Sequence, residues 1–465
     1  MSDTPVSGDL NRGPLFVRLT TFCIPLVLGM FFHGLFNLAD LVIVGKLGDW
    51  ALAAVNSAGI LIMVPLLVAT GINNASIAVI SRNFGMRNYR RANANTQQSF
   101  LLLGLVAAAI GVPMYLYAEE LNIAIGAAGR QVQPATEYLQ ISVAGMITMF
   151  WFMQVAAVLR AGGDSRWPMI MLIGANVANV LLSWALVHGV WGFPELGVPG
   201  AAWGTVFARG IFMVFGLYLI TRPTSPVKLI VRRMRVRPRM LWNLTRIGVP
   251  SSLQFVVRVL AYAAILRLVT MFGESVAIHA ALAVGFRLDM LATFTGSGWG
   301  AGSSAIVGQA LGGGLPQRAA HAGWLAAAIN AVMMWGIGAA YYFYAPWLVA
   351  AFGKDPAVNP DFTRMHELGV EYLRIAVFGY GFAGIGITIA QSLNGGGSTK
   401  TPLFLDTLCF LAIQVPIAYY LGTYQAERGY ERHHLWWSLV GVTAISAALY
   451  SFVWWAGAWK HKQVH

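Results

Sequence analysis

The chain has 465 residues, of which 57% are hydrophobic and 11% are charged. Since soluble domains carry about 25% charged residues, this composition excludes a water-exposed globular surface and predicts a single integral membrane domain. The formal net charge of +13 is explained better by Lys and Arg in cytoplasmic loops than by nucleic-acid binding, which would need a soluble basic domain. The two cysteines, Cys23 and Cys409, lie in apolar segments and indicate neither a disulfide framework nor a metal site.

Twelve apolar stretches follow one another along the chain, and each reaches the length of about 20 residues that a membrane helix requires. The first stretch lacks a small-residue cleavage site, so we expect it to remain as a span. The predicted spans, numbered one to twelve in chain order, cover residues 15–44, 51–80, 93–118, 134–160, 168–190, 198–221, 241–272, 276–309, 318–350, 366–394, 401–424 and 434–459.

Lys and Arg are distributed unevenly between successive loops. The loops after the even-numbered spans and the C-terminal tail are basic, whereas most acidic loop residues lie in the opposite loops. Because positively charged loops stay in the cytoplasm, both termini are predicted to be cytoplasmic, which requires an even number of spans. The longest basic linker, residues 222–240, separates an N-terminal lobe, residues 1–221, from a C-terminal lobe, residues 241–465.

The two halves resemble each other in sequence. Residues 44–59 read VGKLGDWALAAVNSAG and residues 269–284 read VTMFGESVAIHAALAV, so both place Gly and an acid before an apolar helix. Later, LRAGGDSRWP at 159–168 parallels LNGGGSTKTP at 393–402, and the offset between the halves grows from 225 to 234 residues. Six-span repeats share one orientation and leave a cleft between two lobes, which favours a transporter that works by alternating access.

Span one contains the clearest ionisable group within the membrane, Asp40. Such groups are rare and costly in hydrocarbon, which makes Asp40 a candidate for binding a proton or a cation. His33, Asn37 and Asp40 are spaced i, i+4, i+7 and therefore share one helix face. The alternative is a structural hydrogen-bond network between helices. Pro25, earlier in the same span, forms either a static kink or a bend that changes the exposure of Asp40.

Span five has a second polar stripe, formed by Asn176, Asn179 and Ser183 at spacing i, i+3, i+7. Span six adds Thr205. Ion binding and hydrogen bonding between helices explain these residues equally well. The second half has apolar residues at the positions that correspond to Asp40 and to this stripe, which are Ile265, Phe410, Ile413 and Ile417. The first lobe is therefore predicted to bind the proton or cation, and the cleft or the other lobe the bulky substrate.

The second half has intramembrane charges of its own. Arg258 and Arg267 lie in span seven, and Arg287 and Asp289 lie in span eight. Arg287 and Asp289 are two residues apart and do not share a helix face, so each is expected to pair elsewhere. Structural salt bridges and substrate binding are both open for these charges.

Two common enzyme signatures are missing from the sequence. There is no G-x-x-x-x-G-K-[ST] loop for the phosphates of ATP and no G-x-S-x-G nucleophile elbow. We therefore predict neither an enzyme nor an ATP-driven pump, and we predict no cofactor.

The sequence resembles the multidrug and toxic compound extrusion (MATE) family in segments that cover nearly the whole chain. The supporting strings are NLADLVIVGKLGDWALAAV at 37–55, LRAGGDSRWPM at 159–169, GVPGAAWGTVFAR at 197–209 and VGQALGGGLPQRA at 307–319. The resemblance implies an all-α polytopic membrane protein with 12 transmembrane helices in two six-helix lobes related by an internal repeat. It also implies export of amphipathic, often cationic, compounds in exchange for protons or sodium.

The resemblance implies roles for individual residues. Asp40 matches the family's acid in span one, and Pro25 matches its bending proline. Asn179 and Thr205 match its asparagine in span five and its threonine in span six, whereas Ser183 stands where some members have a second acid. Asp40 is then the only carboxylate of the first-lobe cluster, which weakens a multi-carboxylate sodium site and favours protons. Another branch has acids on spans seven and ten, and none is identified here, so the pattern is closer to the DinF-like branch.

We therefore expect a multidrug antiporter of the bacterial inner membrane. It is expected to be a monomer whose partners are small amphipathic cations, membrane lipids and H⁺ or Na⁺, with sodium, if used, at Asp40. The alternative is a lipid-linked oligosaccharide flippase of related two-lobe architecture, which would line its cleft with several Arg. A channel is disfavoured because the polar residues cluster in one lobe rather than along a continuous pore.

Overall fold

The computed structural model describes residues 8–222, 225, 227–229, 235–272, 275–352, 362–424 and 431–462, and of these only the backbone at 38–42, 49, 270, 272, 275–276 and 362. The described residues form helices and no strand. Eleven of these helices are long and apolar enough to cross a membrane, and a bent pair of shorter helices counted as one span raises the number to twelve. The predicted number of spans is thereby confirmed for the described part of the chain.

The first lobe consists of spans one to six. Apolar runs of this length form helices because, in lipid, each backbone polar group must be satisfied within its own segment. The Asn88 side chain accepts a hydrogen bond from the Arg91 amide at the start of span three, and Gly189 ends span five in a left-handed conformation. The spans comprise Leu15–Gly45, Asp49–Gly85, Tyr89–Leu116, the pair Val132–Ala144 and Met146–Ala161, Arg166–His188, and Val198–Thr221.

The second lobe consists of spans seven to twelve. Spans seven and nine begin with a proline in the first turn, where a missing backbone donor costs nothing. Span seven begins within the predicted linker 222–240, only part of which is described. The spans comprise Pro238–Leu268, Ser275–Gly312, Pro316–Ala350, the pair Phe362–Ala376 and Tyr380–Gly395, the run Lys400–Asp406, Thr407–Gln414 and Val415–Thr423, and Arg432–Ala456.

Spans four and ten are both interrupted near their centre. Span four bends by 48° between its two helices, and span ten passes through a 3-10 turn at Val377–Gly379. The side chain of Val206 fills the space beside Gly145, where span four bends. Gly145 and Gly379 lie 234 residues apart, which is the offset of the sequence repeat in this region. The repeat therefore extends from sequence to helix geometry.

The two lobes meet at one end through close backbone contacts. Gly85, the last residue of span two, has no room for a Cβ against the carbonyl oxygen of Gln309 in span eight. Gly312 has no room for one against the carbonyl oxygen of Arg82. Since any larger residue would separate the two helices, glycine is required at both positions. We name this junction the closed end.

Gln309 joins three segments at the closed end. Its side chain is fully buried, accepts from the Leu10 amide at 3.1 Å and donates to the Ala161 carbonyl at 2.9 Å. The C-terminal segment lies at the same end, because Arg82 Nη1 donates to the Lys462 carbonyl at 2.7 Å. Residues near both termini are therefore on one side of the molecule, which agrees with an even number of spans.

The lobes also touch near the middle of the spans. Asn74 Nδ2 of span two donates to Ser251 Oγ of span seven at 3.0 Å. The rings of His33 in span one and Phe294 in span eight are 5.4 Å apart in an edge-on arrangement. Spans two and seven, and spans one and eight, thus form the two seams between the lobes.

Farther from the closed end than these contacts, residues on the helix faces that form the two seams are exposed. Ile60 lies fourteen residues before Asn74 on span two and is 60% exposed. Arg287 lies seven residues before Phe294 on span eight and is also exposed. The lobes therefore diverge away from the closed end, and we name the space between spans one, two, seven and eight the cleft.

Candidate functional site

Three predicted residues form a hydrogen-bonded cluster between spans five and six. Asn179 Nδ2 donates to Thr205 Oγ1 at 3.0 Å, and Ser183 Oγ donates to Asn179 Oδ1 at 2.9 Å. Thr205 Oγ1 donates in turn to the Ala201 carbonyl at 3.1 Å. Gly204 permits this approach, since a Cβ there would collide with the backbone of Ser183. The sequence spacing therefore reflects a real contact between neighbouring spans.

A cavity of about 180 Å³ lies beside this cluster within the first lobe. Its polar wall is formed by Asn37 of span one, Ser183, Thr205 and Tyr138 of span four. This volume is enough for several water molecules. The rest of the wall is apolar and consists of Ile43, Val44, Val55 and Ala201.

Asn176 is separated from the cluster and contacts span one. His33 Nδ1 lies 3.3 Å from Asn176 Oδ1, and Asn37 Nδ2 donates to the His33 carbonyl at 2.8 Å. Asn176 Nδ2 is buried and has no hydrogen-bond partner among the described residues. The predicted stripe of span five is thus divided between span six and span one.

Asp40 belongs to the helix of span one, but its side chain lies outside the described residues. Asn37 and Val44, three residues before and four residues after it, both line the cavity. Helical spacing therefore assigns position 40 to the face that includes these two residues. The role of Asp40 stays a prediction.

The second lobe contains a buried acid that was not among the sequence candidates, Asp406 of span eleven. It is inaccessible to solvent, and both of its oxygens accept hydrogen bonds. Oδ2 accepts from Arg258 Nε at 2.7 Å and from Gln254 Nε2 at 2.9 Å. Oδ1 accepts from Tyr450 Oη at 2.8 Å and from Arg258 Nη2 at 3.3 Å. The network joins spans seven, eleven and twelve.

Span eight contributes two further charges with different surroundings. Asp289 accepts hydrogen bonds from the hydroxyl groups of Tyr372 and Tyr380 in span ten. Arg287 is exposed and makes no hydrogen bond or ion pair within the described part of the chain. Asp289 therefore has the partner that the sequence analysis expected, but the partner is a pair of tyrosines rather than a cation. For Arg287, no such partner is found among the described residues.

The sequence model of the family described as MatE matches residues 25–185 and 250–420. The chain belongs to the MatE family. The two matches begin 225 residues apart and end 235 residues apart. One family model thus fits both halves of the chain, in agreement with the internal repeat.

Relatives of similar length support the membership. The probable multidrug resistance protein YoeA of Bacillus subtilis is 26% identical, over 99% of this chain and 97% of YoeA. The FAD transporter of Shewanella oneidensis is 25% identical, over 89% of this chain and 90% of the transporter. A MOP superfamily transporter from Pyrococcus furiosus has the same fold, with a TM-score of 0.91 at 22% identity over 99% of this chain and 100% of that one.

The second lobe of this chain contains a polar network that the comparison of the two halves did not predict. The positions corresponding to Asp40 and the span-five stripe are indeed apolar in the second half. The second lobe has a different polar network at other positions, where Asp406 pairs with Arg258. Asp406, like Asp40, is an acid within a predicted span and could have been a sequence candidate for the same reason. Its partner Arg258 is 148 residues away in the sequence. The partner therefore could not be recognised from the sequence.

One expectation about single residues is wrong, and another stays a prediction. Span ten does contain an acid, since Glu371 accepts from Arg432 Nε of span twelve at 3.0 Å. Pro25 lies inside span one, which nevertheless runs as one continuous helix. Pro250 lies inside span seven, at the corresponding position of the repeat. Bending at Pro25 stays a prediction.

The chemistry available at the first-lobe cavity follows from its lining. Among the described residues, no three His, Cys, Asp or Glu side chains lie close enough together to bind a metal ion. The eight described lining residues offer hydroxyl and amide groups and no carboxylate. No carboxylate that could bind a proton or a cation is therefore among the described lining residues, and Asp40 is the acid of span one.

Proposed function

We propose that this MatE-family protein is a secondary active multidrug exporter that exchanges amphipathic, often cationic, compounds for protons, with sodium as the alternative coupling ion. The first-lobe cavity carries this proposal. It brings Asn37, Ser183 and Thr205 together on the face to which helical spacing assigns position 40. One acid among neutral groups can take up and release a single proton, and oxygen ligands also suit a hard cation such as sodium.

The arrangement of the lobes supports alternating access. One end is closed around Gln309 while the cleft opens away from it, which is what a transporter with two alternately exposed sides requires. The Lys and Arg of the loops at the closed end favour a cytoplasmic location for that end in a bacterial inner membrane. The moving units are then the N-terminal lobe, residues 1–221, and the C-terminal lobe, residues 241–465, joined by the linker 222–240.

The proposed cycle has two steps. With the cleft facing outward, Asp40 takes up a proton and the exported compound leaves. The lobes then rock to face inward, Asp40 releases its proton to the cytoplasm, and another compound binds. Asn179 and Thr205 keep span six against span five during the cycle, and Pro25 allows span one to bend.

The test uses protein reconstituted in liposomes with ethidium and an imposed proton or sodium gradient. The parent, Asp40→Asn and Glu119→Gln are compared; Glu119 is an exposed acid of the first lobe outside the spans. We expect a proton gradient to drive dye movement in the parent and in Glu119→Gln and to have no effect in Asp40→Asn.

Three outcomes would change the proposal. Export by Asp40→Asn at the parental rate would contradict the role of Asp40. Movement driven by sodium alone would overturn the choice of ion and leave the exporter in place. Failure of both gradients to move any amphipathic dye through the parent would contradict the exporter itself.

A second candidate function is the flipping of a lipid-linked oligosaccharide. Two Arg of the second lobe favour it, because Arg287 is exposed and the side chain of Arg258 is 32% exposed despite its ion pair. A labelled lipid precursor added to one leaflet of the same liposomes distinguishes the two functions. Flipping of the precursor without dye movement would favour the flippase.

A further inference from the structure

Arg287 lies on the face of span eight that turns toward the first lobe. Leu291, Phe294 and Gly298 follow it at spacing i+4, i+7 and i+11 and therefore share its face. Leu291 packs against Gly34 of span one, Phe294 against a ring of the same span, and Gly298 against its backbone. Arg287 lies on the same face one turn farther from the closed end, where the lobes separate. Its exposed side chain therefore borders the cleft.

Arg258 occupies the equivalent place on span seven. Ser251 lies seven residues earlier on the same face and receives a hydrogen bond from Asn74 of the first lobe. The exposed Leu253 and Leu260 lie on a different face of the span. The exposed third of the Arg258 side chain therefore also borders the cleft.

The two arginines lie at a similar depth. Tyr262 lies one turn beyond Arg258, and its ring contacts that of Phe286 in a tilted arrangement with 4.3 Å between the ring centroids. Phe286 directly precedes Arg287. Spans seven and eight thus bring both guanidinium groups to one wall of the cleft.

The charge that this wall presents is positive. Asp289 is turned into the lobe, where Tyr372 and Tyr380 donate to its carboxylate. Asp406 is fully buried behind Arg258 and fixes its guanidinium through Nε and Nη2. Arg287 has no acidic partner among the described residues. One arginine is therefore rigidly positioned, and the other has its full charge available.

We propose that Arg287 and Arg258 form a subsite that recognises an anionic group on the transported amphiphile, a carboxylate or a phosphate. This subsite rests on the proposed transport function and adds a substrate class to it. A guanidinium presents paired donors that match both groups. Its attraction is stronger in the cleft than in bulk water because the surroundings are less polar. The exposed Met290 beside Arg287 and the ring of Phe410 near Arg258 provide apolar surface for the rest of the molecule.

The test compares two dyes that differ in one group, a rhodamine with a free carboxylate and the methyl ester of the same rhodamine. Binding is measured by fluorescence anisotropy in detergent, and export is measured in liposomes. Arg287→Gln is expected to weaken binding of the acid by about tenfold, the equivalent of one charge-assisted hydrogen bond, and to change binding of the ester by less than about twofold. Arg258→Lys, which preserves the charge beside Asp406, is expected to weaken binding of the acid by a smaller factor.

The matched control is Arg246→Gln, which removes the same charge from an exposed position near the other end of span seven. Binding of the acid and of the ester should be the same in this variant as in the parent.

Equal effects of Arg287→Gln on the acid and the ester, or no effect on either, would overturn the subsite. Binding of the ester but not the acid by the parent would overturn it as well, while gradient-driven export of the ester would leave the proposed exporter intact. Selective loss of acid binding without any export would support the subsite and contradict the exporter. A lipid-linked pyrophosphate that competes with the acid dye in the parent but not in Arg287→Gln would identify a lipid headgroup as the source of the anion.

Discussion

The two lobes share a scaffold but use polar residues in opposite ways. In the first lobe, Asn37, Ser183 and Thr205 are neutral groups beside a cavity of about 180 Å³. In the second lobe, Asp406 is inaccessible to solvent and surrounded by donors from Arg258, Gln254 and Tyr450.

This difference distinguishes two roles of polar groups within the membrane, helix packing and ion binding. Asp406 accepts four hydrogen bonds, two on each oxygen, and these occupy the roughly four acceptor positions of a carboxylate. Such a network stabilises helix packing. Neutral groups beside open volume leave room for an ion and for an acid that titrates. A buried charge is therefore not by itself a coupling site, and the surrounding space decides between the two roles.

The largest expected effect is on the stability of the second lobe. Asp406→Ala leaves Arg258 without its partner in a low-dielectric site, and we expect a loss of about 3–5 kcal/mol in the free energy of unfolding. The measurement is the unfolding midpoint in detergent, with Asn179→Ala as the first-lobe comparison, where only neutral hydrogen bonds are lost. A smaller decrease for Asp406→Ala than for Asn179→Ala would contradict a structural role for the network.

The next effect concerns the junction of the two lobes. Gln309→Leu removes two hydrogen bonds at the closed end, each worth about 1 kcal/mol, and should shift the closed-to-open ratio by more than about tenfold. Cys23 reports the change because it is buried and packs against Gly302 across the junction. In a Cys409→Ser background, maleimide labelling of Cys23 should become faster. The control is Gln133→Leu at an exposed site in the first lobe. Labelling of Gln309→Leu as slow as that of the parent would contradict the closed end.

A functional comparison of the lobes uses corresponding positions of the repeat. Asn179→Ala removes the bridge between Ser183 and Thr205, and we expect gradient-driven dye export to fall by about tenfold, since two hydrogen bonds at the cavity are lost. Ile413→Ala, at the corresponding position of span eleven, should change export by less than about twofold. Similar losses in both variants would indicate that packing rather than ion coupling is being measured.

The smallest expected effect is at the corresponding prolines. Pro25→Ala restores a backbone donor in span one and removes a point of bending, so the export rate should fall by about twofold to fivefold with little change in the unfolding midpoint. Pro250→Ala, in span seven, should have less effect, because the proposed coupling residues are in the first lobe. Equal rates for the parent and Pro25→Ala would assign Pro25 to a static kink.

The sequence by itself determined the membrane class, the number of spans, the repeat and most of the first-lobe cluster. Hydropathy over about 20 residues and a helical period of 3.6 are local properties, and the stripe of Asn179 and Ser183 with Thr205 of span six could be recognised from them. The sequence did not predict the breaks at Gly145 and Gly379, although their separation equals the offset of the repeat in this region.

Only the tertiary structure decided which polar groups meet. Arg258 and Asp406 are 148 residues apart, and Asn176 pairs with His33 rather than with its own stripe. Such pairings depend on how each span is rotated and tilted against its neighbours, and side-chain packing over the whole lobe sets these angles. The separation of the lobes beyond the closed end is likewise a property of helix packing, which is why the exposure of Arg287 to the cleft emerged from the structure alone.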